Sequence, residues 1–496
     1  MDKFDLQSIN GRRPYIRTLM FVLQKAVNEL YPDKKLVLDY SLPSGLYGEV
    51  KGLEMTPERV QQLKERMRII VDANFPIEED VMDLQEAIRI FESNNQIEKA
   101  TIARTSGVPF VRVCKMGNTI DNFYGQMLSS TGDVKVFDLI PYLQGMCLVV
   151  PSTENPKEVT KTIPQEKIAS IFQEHSNWCT ILKAKGIGSL NTALTQGRAK
   201  ELIQLSEALH EHRYSEIANQ ITERIDKVRL VLIAGPSSSG KTSTSKRIAL
   251  HLKVNMINPI VIELDNYFVS RDKTPRDENG DYDFESLYAL DLPYLNKQLN
   301  QLFSGEEIEI PRYDFVTGQR TFAGQRLKLG KGDILVMEGI HALNPKLTDQ
   351  ISDEMKFKVY ASALTSLSVD ENNNISTSDN RLLRRIVRDN QYRGINPEQT
   401  ILRWPSVRAG EIKNIFPYQE NADAMFNSAL IYEIPMLKCY AEPLLRSVDP
   451  HSPAYPEATR LLDFLRDIIA LTPLEIATIP PTSILREFIG GSSFSY

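Results

Sequence analysis

Hydrophobic residues recur every three to four positions along several stretches of the chain, a spacing that places side chains on one face of an α-helix. These stripes predict helices at 15–30, from Thr56, at 199–225 and around 458–471. At Thr56 the order Thr-Pro-Glu adds a start signal, an N-cap followed by proline at the first helical position. A short helix after Ser483 should end at the glycine pair 490–491.

Short apolar runs predict the strands. In the first part of the chain Val111–Cys114 and Val134–Phe137 fit this pattern. Beyond residue 227 apolar runs alternate with amphipathic helices, and the clearest runs are Leu230–Ala234, Ile260–Leu264 and Ile334–Met337. Alternation of strand and helix predicts an α/β fold, a doubly wound parallel sheet with helices on both faces.

These elements predict four regions. They are an α+β domain over 1–151, a helical connector over 152–226, an α/β domain over 227–440 and a helical C-terminal extension over 441–496. A chain of 496 residues is too long for one ordinary core, which agrees with several domains.

Composition narrows the functional classes. The net charge of −6 argues against a dominant nucleic-acid surface. The four cysteines form no CxxC pair, and His210 and His212 lie on the polar side of a helical pattern, so we expect reduced thiols and solvated histidines rather than a metal site. With no signal-like start and no run of 18 apolar residues, we expect a cytoplasmic protein outside the membrane.

A phosphate-binding motif follows the first apolar strand of the α/β region. The segment Gly235-Pro-Ser-Ser-Ser-Gly-Lys-Thr242 matches GxxxxGK[ST] in full and opens an amphipathic helix. Glycines let backbone N–H groups turn toward phosphate oxygens at a helix N-terminus. Lys241 would reach the β- and γ-phosphates and the Thr242 hydroxyl would ligate Mg²⁺. The predicted nucleotide-binding residues are Gly235, Ser237, Ser238, Ser239, Gly240, Lys241, Thr242 and Ser243.

Two carboxylates follow other predicted strands. Asp265 comes after Ile260–Leu264, facing the crevice where open α/β sheets bind ligands, and it could accept the proton of an attacking hydroxyl. The alternative is an aspartate that caps a loop. Glu338 ends the run Ile334–Met337, the place of a carboxylate that helps hold Mg²⁺. Its alternative is a solvated glutamate at a strand end.

A basic helix is predicted after the last of these strands. At helical spacing Arg381, Arg385 and Arg388 share one face, and Arg393-Gly394 closes the stretch. Phosphoryl transfer needs cations over the transferring group, which a closing lid can supply. The alternative is a solvated basic helix.

With these motifs, residues 228–435 resemble the phosphoribulokinase/uridine kinase family, and they most closely resemble its uridine–cytidine kinase branch. The segments Tyr313–Arg320, Met337–Ile340 and Arg384–Asp389 resemble its YDFxxHxR, FEGI and RRxxRD motifs, and Tyr282-Asp283 resembles its Phe-Asp pair. The resemblance implies that Asp265 is the base and that Arg388 and Arg393 contact phosphates; with Lys241 of the phosphate-binding motif, these are the predicted catalytic residues. It implies Asp283 and Arg385 on a ribose, and Tyr313 near a nucleobase.

The acceptor side departs from the family pattern. After Asp283 the family's His-Pro-Asp is replaced by Phe284-Glu285-Ser286, and Gly318 stands where the family has a base-reading histidine. The second arginine of the lid's RGR is Ile395. Glycine at 318 offers only backbone groups and is expected to leave vacant space for a different acceptor.

Residues 15–150 resemble the editing domain of threonyl-tRNA synthetase, through Ala26–Pro32, Leu53–Ile88 and Ser130–Gly132. The family's HxxxH and CxxxH positions align with Arg17, Phe21, Phe123 and Met127. None of these can replace a histidine or thiolate, so we expect a chemically inactive domain. Kinases of this kind often begin with a small β-grasp domain, for which residues 1–14 leave no room, so we expect a truncated or naturally short chain.

The sequence therefore predicts a kinase that uses ATP and Mg²⁺ to phosphorylate a hydroxyl of a nucleoside-like small molecule. Another small sugar or polyol is an alternative acceptor. A regulator associated with RNA or tRNA, using nucleotide binding as a switch, is an alternative from another class. A homo-oligomer is possible, and RNA binding has no positive support in the sequence.

Overall fold

In the computed structural model, the N-terminal part of the chain builds two antiparallel sheets beside four helices. The model describes residues 5–161, 165–277, 280–314, 317–365 and 367–495. One sheet has the order β1-β2-β7-β6 and the other β3-β4-β5. The elements are α1 (Ile9–Leu30), β1 (Lys35–Leu42), β2 (Gly45–Lys51), α2 (Pro57–Asp72), β3 (Glu78–Asp83), α3 (Leu84–Ser93), α4 (Ile97–Thr105), β4 (Phe110–Met116), β5 (Thr119–Asp121), β6 (Asp138–Tyr142) and β7 (Gly145–Val149).

Local signals explain where these helices lie. Thr56 caps α2, its hydroxyl accepting from the backbone N–H of Arg59 at 3.4 Å, and Pro57 occupies the first turn. The apolar stripe of α1 is buried in the N-terminal core, as predicted; Leu19 and Leu23 pack there with Leu63 of α2.

The predicted strand Val134–Phe137 is wrong, because β6 begins only at Asp138. Side chains satisfy the backbone of this stretch in place of a neighbouring strand. The Tyr15 hydroxyl accepts from the N–H of Val136 at 2.8 Å and donates to its carbonyl at 3.1 Å. Arg68 donates to the carbonyls of Lys135 and Phe137, both at 2.6 Å. Buried backbone groups need partners, and here side chains supply them without a sheet.

Three helices connect this part to the rest: α5 (Glu166–Ile181), α6 (Ile187–Thr195) and α7 (Ala199–Glu223). The prediction that His210 on α7 is solvated is wrong. Its ring is buried, with its centroid 5.0 Å from that of Phe426, and burial lowers its pKa to about 3. The apolar stripe of α7 is wide enough to take the histidine into the core. His212 is exposed.

A five-stranded parallel sheet follows, with the order β14-β13-β8-β12-β9. A two-stranded antiparallel ribbon, β10-β11, lies apart from it. The elements are β8 (Leu230–Ala234), α8 (Lys241–Val254), β9 (Asn258–Glu263), α9 (Leu292–Phe303), β10 (Ile308–Asp314), β11 (Gln319–Leu327), β12 (Asp333–Glu338), β13 (Lys356–Ser362), α10 (Thr377–Arg393), α11 (Pro397–Asn414), β14 (Ala424–Asn427), α12 (Glu433–Arg446), α13 (Tyr455–Arg466), α14 (Pro473–Ile476) and α15 (Arg486–Ile489).

Alternate residues of the central strands pack on opposite faces of this sheet. Val231 and Ile233 of β8 join the core that includes α7, α8, α10 and α12. Leu230 and Leu232 join the core that includes α5 and α9. A parallel sheet buried on both faces confirms the α/β prediction. The connector and the C-terminal extension share these cores, so the predicted domain boundaries stay predictions.

In the part of the chain that the structure describes, no helix combines the length and apolar character that a membrane crossing requires.

Candidate active site

The sheet topology brings three predicted site elements to one edge. Glu338 ends β12 and pairs in register with Ile233 of β8 on one side and with Glu263 of β9 on the other. The phosphate-binding loop follows β8, and Asp265 lies in the short helical turn after β9. The carboxyl ends of neighbouring parallel strands therefore present the loop and both carboxylates to one crevice.

The loop between β8 and α8 has the shape of a phosphate cradle. A Cβ at Gly235 would lie 2.0 Å from the carbonyl oxygen of Ala361, so only glycine fits there. Gly240 caps α8 in the left-handed region at φ +80°, and Ser238 also has a positive φ of 58°. Among the described residues, the buried hydroxyls of Ser238 and Ser239 have no hydrogen-bond partner. Unsatisfied buried donors fit a cradle that phosphate oxygens complete.

Thr242 and Glu338 meet at the base of the crevice. The Thr242 hydroxyl donates to Glu338 Oε1 at 2.7 Å. Glu338 is 7% exposed, which excludes the solvated alternative. Burial raises its pKa to about 7, with Lys241 opposing and Asp265 reinforcing the shift. A hydroxyl and a buried carboxylate side by side supply hard oxygen ligands, and these residues fit Mg²⁺, which takes few protein ligands.

Asp265 opens onto the same crevice. Desolvation by the walls of the crevice raises its pKa to about 6, and the positive charge of Lys241 opposes this rise. The Asp265 side chain is exposed to solvent in the crevice. Water there screens part of the electrostatic effect on its pKa. Within the described structure its carboxylate accepts no capping hydrogen bond, unlike a loop-capping aspartate. Lys241 Nζ itself donates to the carbonyl of Pro236 at 3.3 Å.

A buried carboxylate organises three of the predicted cations. Asp389, on α10, is 1% exposed at its side chain and accepts from Arg385 Nε at 3.1 Å and from Arg388 Nη2 at 2.9 Å. Arg393 Nη1 lies 3.7 Å from the same carboxylate. Arg385 also donates to the Ser237 hydroxyl at 2.9 Å, which joins this arginine cluster (385, 388 and 393) to the phosphate loop.

The expectation that Arg381 is a mobile cation of the lid is wrong. Its guanidinium is buried in an ion pair with Glu411 and donates to the carbonyl of Ser237 at 3.0 Å. Arg384 is also buried, paired with Glu433 and in contact with the carbonyl of Ser238. Arg381 and Arg384 thus hold the phosphate-binding loop through the carbonyls of Ser237 and Ser238. The arginines that follow them on α10, at 385, 388 and 393, face the crevice.

Aromatic side chains line the predicted acceptor side. The ring centroids of Tyr282 and Phe284 are 6.0 Å apart, those of Phe284 and Phe268 6.3 Å, and those of Phe268 and Tyr313 5.4 Å. Tyr313 is buried in β10. Asp283 lies beside this aromatic wall, where Oδ1 accepts from the N–H of Glu285 at 3.1 Å. In the described structure Asp283 and Arg385 make no direct contact.

The vacant space expected at Gly318 is filled by Arg271. A Cβ at position 318 would lie 2.7 Å from Arg271 Nε and 2.8 Å from its Cβ, and the backbone there has a φ of +70°. Arg271 also contacts the Tyr313 hydroxyl. The expectation of an empty pocket is therefore wrong, since a side chain 47 positions away supplies the missing volume. Phe315 and Val316 of the same motif lie outside the described residues.

Glu285 is a site residue that the sequence reading did not assign. Burial raises its pKa to about 7 and Glu411 raises it further, while Arg385 and Lys241 lower it. A Cβ at Gly410 of α11 would lie 2.6 Å from the Glu285 Cβ, so the absence of a side chain at Gly410 allows Glu285 to pack against α11. The sequence feature that could have pointed to Glu285 is the departure from the family pattern directly after Asp283. That departure places a carboxylate beside the residue predicted to contact a ribose.

Comparisons with known proteins cover the C-terminal half. The sequence model of the phosphoribulokinase/uridine kinase family matches residues 230–434. A uridine kinase of Deinococcus deserti is 29% identical over 194 residues, which are 39% of this chain and 84% of that protein. A uridine kinase of Lactobacillus helveticus is 31% identical over 182 residues, 36% of this chain and 75% of that protein. A solved structure described as a possible uridine kinase from Bacillus stearothermophilus is 21% identical and covers 42% of this chain and 99% of its own, with a TM-score of 0.28, too low to carry an argument.

Proposed function

The chain belongs to the phosphoribulokinase/uridine kinase family, and from this premise we propose that it uses Mg·ATP to phosphorylate a hydroxyl of a nucleoside-like small molecule. The coarser prediction, an ATP-dependent kinase with an alcohol as acceptor, is confirmed by the uridine kinase relatives. The identity of the acceptor and the roles of single residues are proposals.

One observation carries the proposal: the phosphate loop, Asp265 and Glu338 converge at the carboxyl edge of adjacent strands. The arginine cluster on α10 adjoins the same loop through Ser237. Such an arrangement supplies a phosphate cradle, a base and cations within one crevice, which phosphoryl transfer requires.

In the proposed reaction Asp265 accepts the proton of the acceptor hydroxyl while the hydroxyl oxygen bonds to the γ-phosphorus. The bond from that phosphorus to the bridging oxygen of ADP breaks, and ADP leaves. A pKa near 6 keeps Asp265 ionised at neutral pH yet more basic than an ordinary aspartate. Arg388 and Arg393 would balance charge on the transferring group. Mg²⁺, held through Thr242 and Glu338, would supply positive charge at the phosphates.

The aromatic wall supports a planar acceptor group. Four rings in succession, from Tyr282 to Tyr313, can pack against a nucleobase. Asp283 beside them offers a carboxylate to sugar hydroxyls, and we propose it, with Arg385, for the ribose. The Arg271 side chain narrows the end of the pocket near Tyr313. That narrowing favours the second candidate, a smaller sugar or polyol.

A panel of acceptors assayed by ADP release tests the proposal. Uridine, cytidine, adenosine, ribose and glycerol should be compared at saturating Mg·ATP, with Lys241→Ala as the inactive control. Turnover stimulated by a nucleoside and lost in Lys241→Ala is the expected result. Stimulation by ribose or glycerol alone would favour the second candidate, and stimulation by RNA alone would contradict both.

For the N-terminal region we propose a degenerate domain of the synthetase editing type. The aligned positions cluster in space: the rings of Phe21 and Phe123 are 5.2 Å apart, and Arg17 donates to the carbonyl of Gln126 at 3.1 Å. Hydrophobic and cationic groups there support the loss of editing chemistry.

A further inference from the structure

The end of the chain crosses the N-terminus of the phosphate-loop helix. This C-terminal segment, residues 479–495, buries Ile484, Leu485 and Phe488 in the core of the parallel sheet, each no more than 1% exposed. Arg247 of α8 donates to the carbonyl of Thr482, and Gln391 of α10 donates to that of Ile489 at 3.2 Å. Burying several apolar side chains stabilises such a segment, so we infer that it forms a fixed wall of the crevice.

Its contacts reach the donors that a phosphate would use. The first backbone N–H groups of a helix have no partner within the helix. In α8 the N–H of Thr244 already bonds to the carbonyl of Gly240 at 2.9 Å, which leaves those of Lys241, Thr242 and Ser243. Glu487 Oε2 accepts from the N–H of Ser243 at 3.3 Å and from its hydroxyl at 2.5 Å. A carboxylate thus takes one of three donors at the helix N-terminus.

Packing of the C-terminal segment against the phosphate-binding loop holds the Glu487 carboxylate in place. Among the described residues no lysine, arginine or histidine lies within ion-pair distance of Glu487, so no cation neutralises it. A Cβ at Gly240 would lie 2.3 Å from Ile484 Cδ1, which shows how closely the segment packs against the loop. The positive end of the α8 dipole attracts the Glu487 carboxylate and any phosphate alike.

We propose that Glu487 determines nucleotide affinity, because its carboxylate occupies the P-loop donors of Ser243 and opposes the phosphate nearest the nucleoside. Lys241 and Thr242 serve the β- and γ-phosphates, so the next N–H along α8 faces the remaining one. The inference rests on the proposed ATP-dependent function. Its effect is to weaken the hold on ADP, which carries that phosphate, and so to favour release of this product.

Calorimetric titration of the full-length protein with ADP and Mg²⁺ tests the inference. Glu487→Gln keeps an oxygen that can accept from Ser243 but removes the charge, and should bind ADP about tenfold more tightly. Glu487→Ala should tighten binding in the same direction. Glu475→Gln is the matched control, since Glu475 of the same extension only caps α14 through Thr472, and its ADP affinity should stay within about twofold of wild type.

Unchanged or weaker ADP binding in both Glu487 variants, with melting temperatures near that of wild type, would overturn the inference. In that case the proposed function would still hold if the wild-type protein binds ADP and Lys241→Ala does not. Failure of the wild-type protein to bind ADP at all would overturn both.

Discussion

The buried carboxylate of Asp389 offers a sharp test of how the basic helix acts. Asp389→Asn keeps the size and shape of the side chain but replaces one oxygen by an NH₂ group. The two Asp389 oxygens accept from Arg385 and Arg388 at 2.9–3.1 Å, with Arg393 at 3.7 Å. An amide can accept from only one side, so one of the two close guanidiniums loses its partner and faces a donor.

The magnitude follows from that lost bond. A hydrogen bond between charged groups contributes about 1.5–3 kcal/mol. Loss of the negative charge at position 389 also removes the group that offsets the repulsion among the three guanidiniums. If the bond orients a cation over the transferring phosphoryl group, a loss of about 3 kcal/mol lowers kcat about 100-fold. ADP affinity should change less, because the phosphate loop keeps its backbone donors.

Asp379→Asn is the matched control on the same helix. Asp379 lies in the first turn of α10 and accepts from both terminal nitrogens of Arg460 at 2.8 Å, far along the helix from the arginine cluster. Both variants should lower the melting temperature, since each weakens an ion pair of low exposure. Only Asp389→Asn should lose kcat, measured by ADP release with the best acceptor and normalised to folded protein. Equal losses of kcat in the two variants would refute the reasoning.

Three further predictions concern other parts of the chain. Glu338→Gln should abolish phosphoryl transfer. It should also raise the melting temperature by a few degrees at pH 8 and by little at pH 5, because the raised pKa of Glu338 makes its ionised form, present above pH 7, destabilising. A lower melting temperature of the variant at pH 8 would contradict this prediction. Gly318→His should lower kcat/KM for every nucleoside, since its side chain would meet Arg271 at a φ of +70°, and improved use of uridine would show that Arg271 moves aside. The full-length protein should not hydrolyse mischarged tRNA, because Arg17, Phe21, Phe123 and Met127 replace the editing groups, and release of the amino acid above background would contradict that expectation.

The parts of the fold set by local patterns could be predicted. The run Leu230–Ala234 is β8 to the residue, because five consecutive buried apolar residues before a glycine-rich loop have few alternatives. The helix from Thr56 begins where its cap and proline place it. The phosphate loop was predicted for the same reason, since its glycines and its helix are neighbours in sequence.

Features that depend on distant contacts could not be predicted. The irregular stretch 134–137 is held by Tyr15 and Arg68, and an apolar pattern does not reveal that side chains will take the place of a partner strand. Arg381 follows the same helical spacing as Arg385, and only the placement of Glu411 turns it into a buried anchor. Likewise Glu487 meets Ser243 across 244 positions, and no spacing along the chain announces that contact.

The central claim is that this crevice transfers a phosphoryl group to an acceptor hydroxyl with Asp265 as the base. The most direct measurement follows the phosphorylated acceptor by ³¹P NMR, for wild type and Asp265→Asn, with ADP affinity measured on the same samples. We expect product from the wild-type protein, an Asp265→Asn variant that binds ADP within a few-fold of wild type, and a transfer rate lowered about 10²–10⁴-fold. Transfer within tenfold of wild type, or loss of nucleotide binding in the variant, would contradict this assignment.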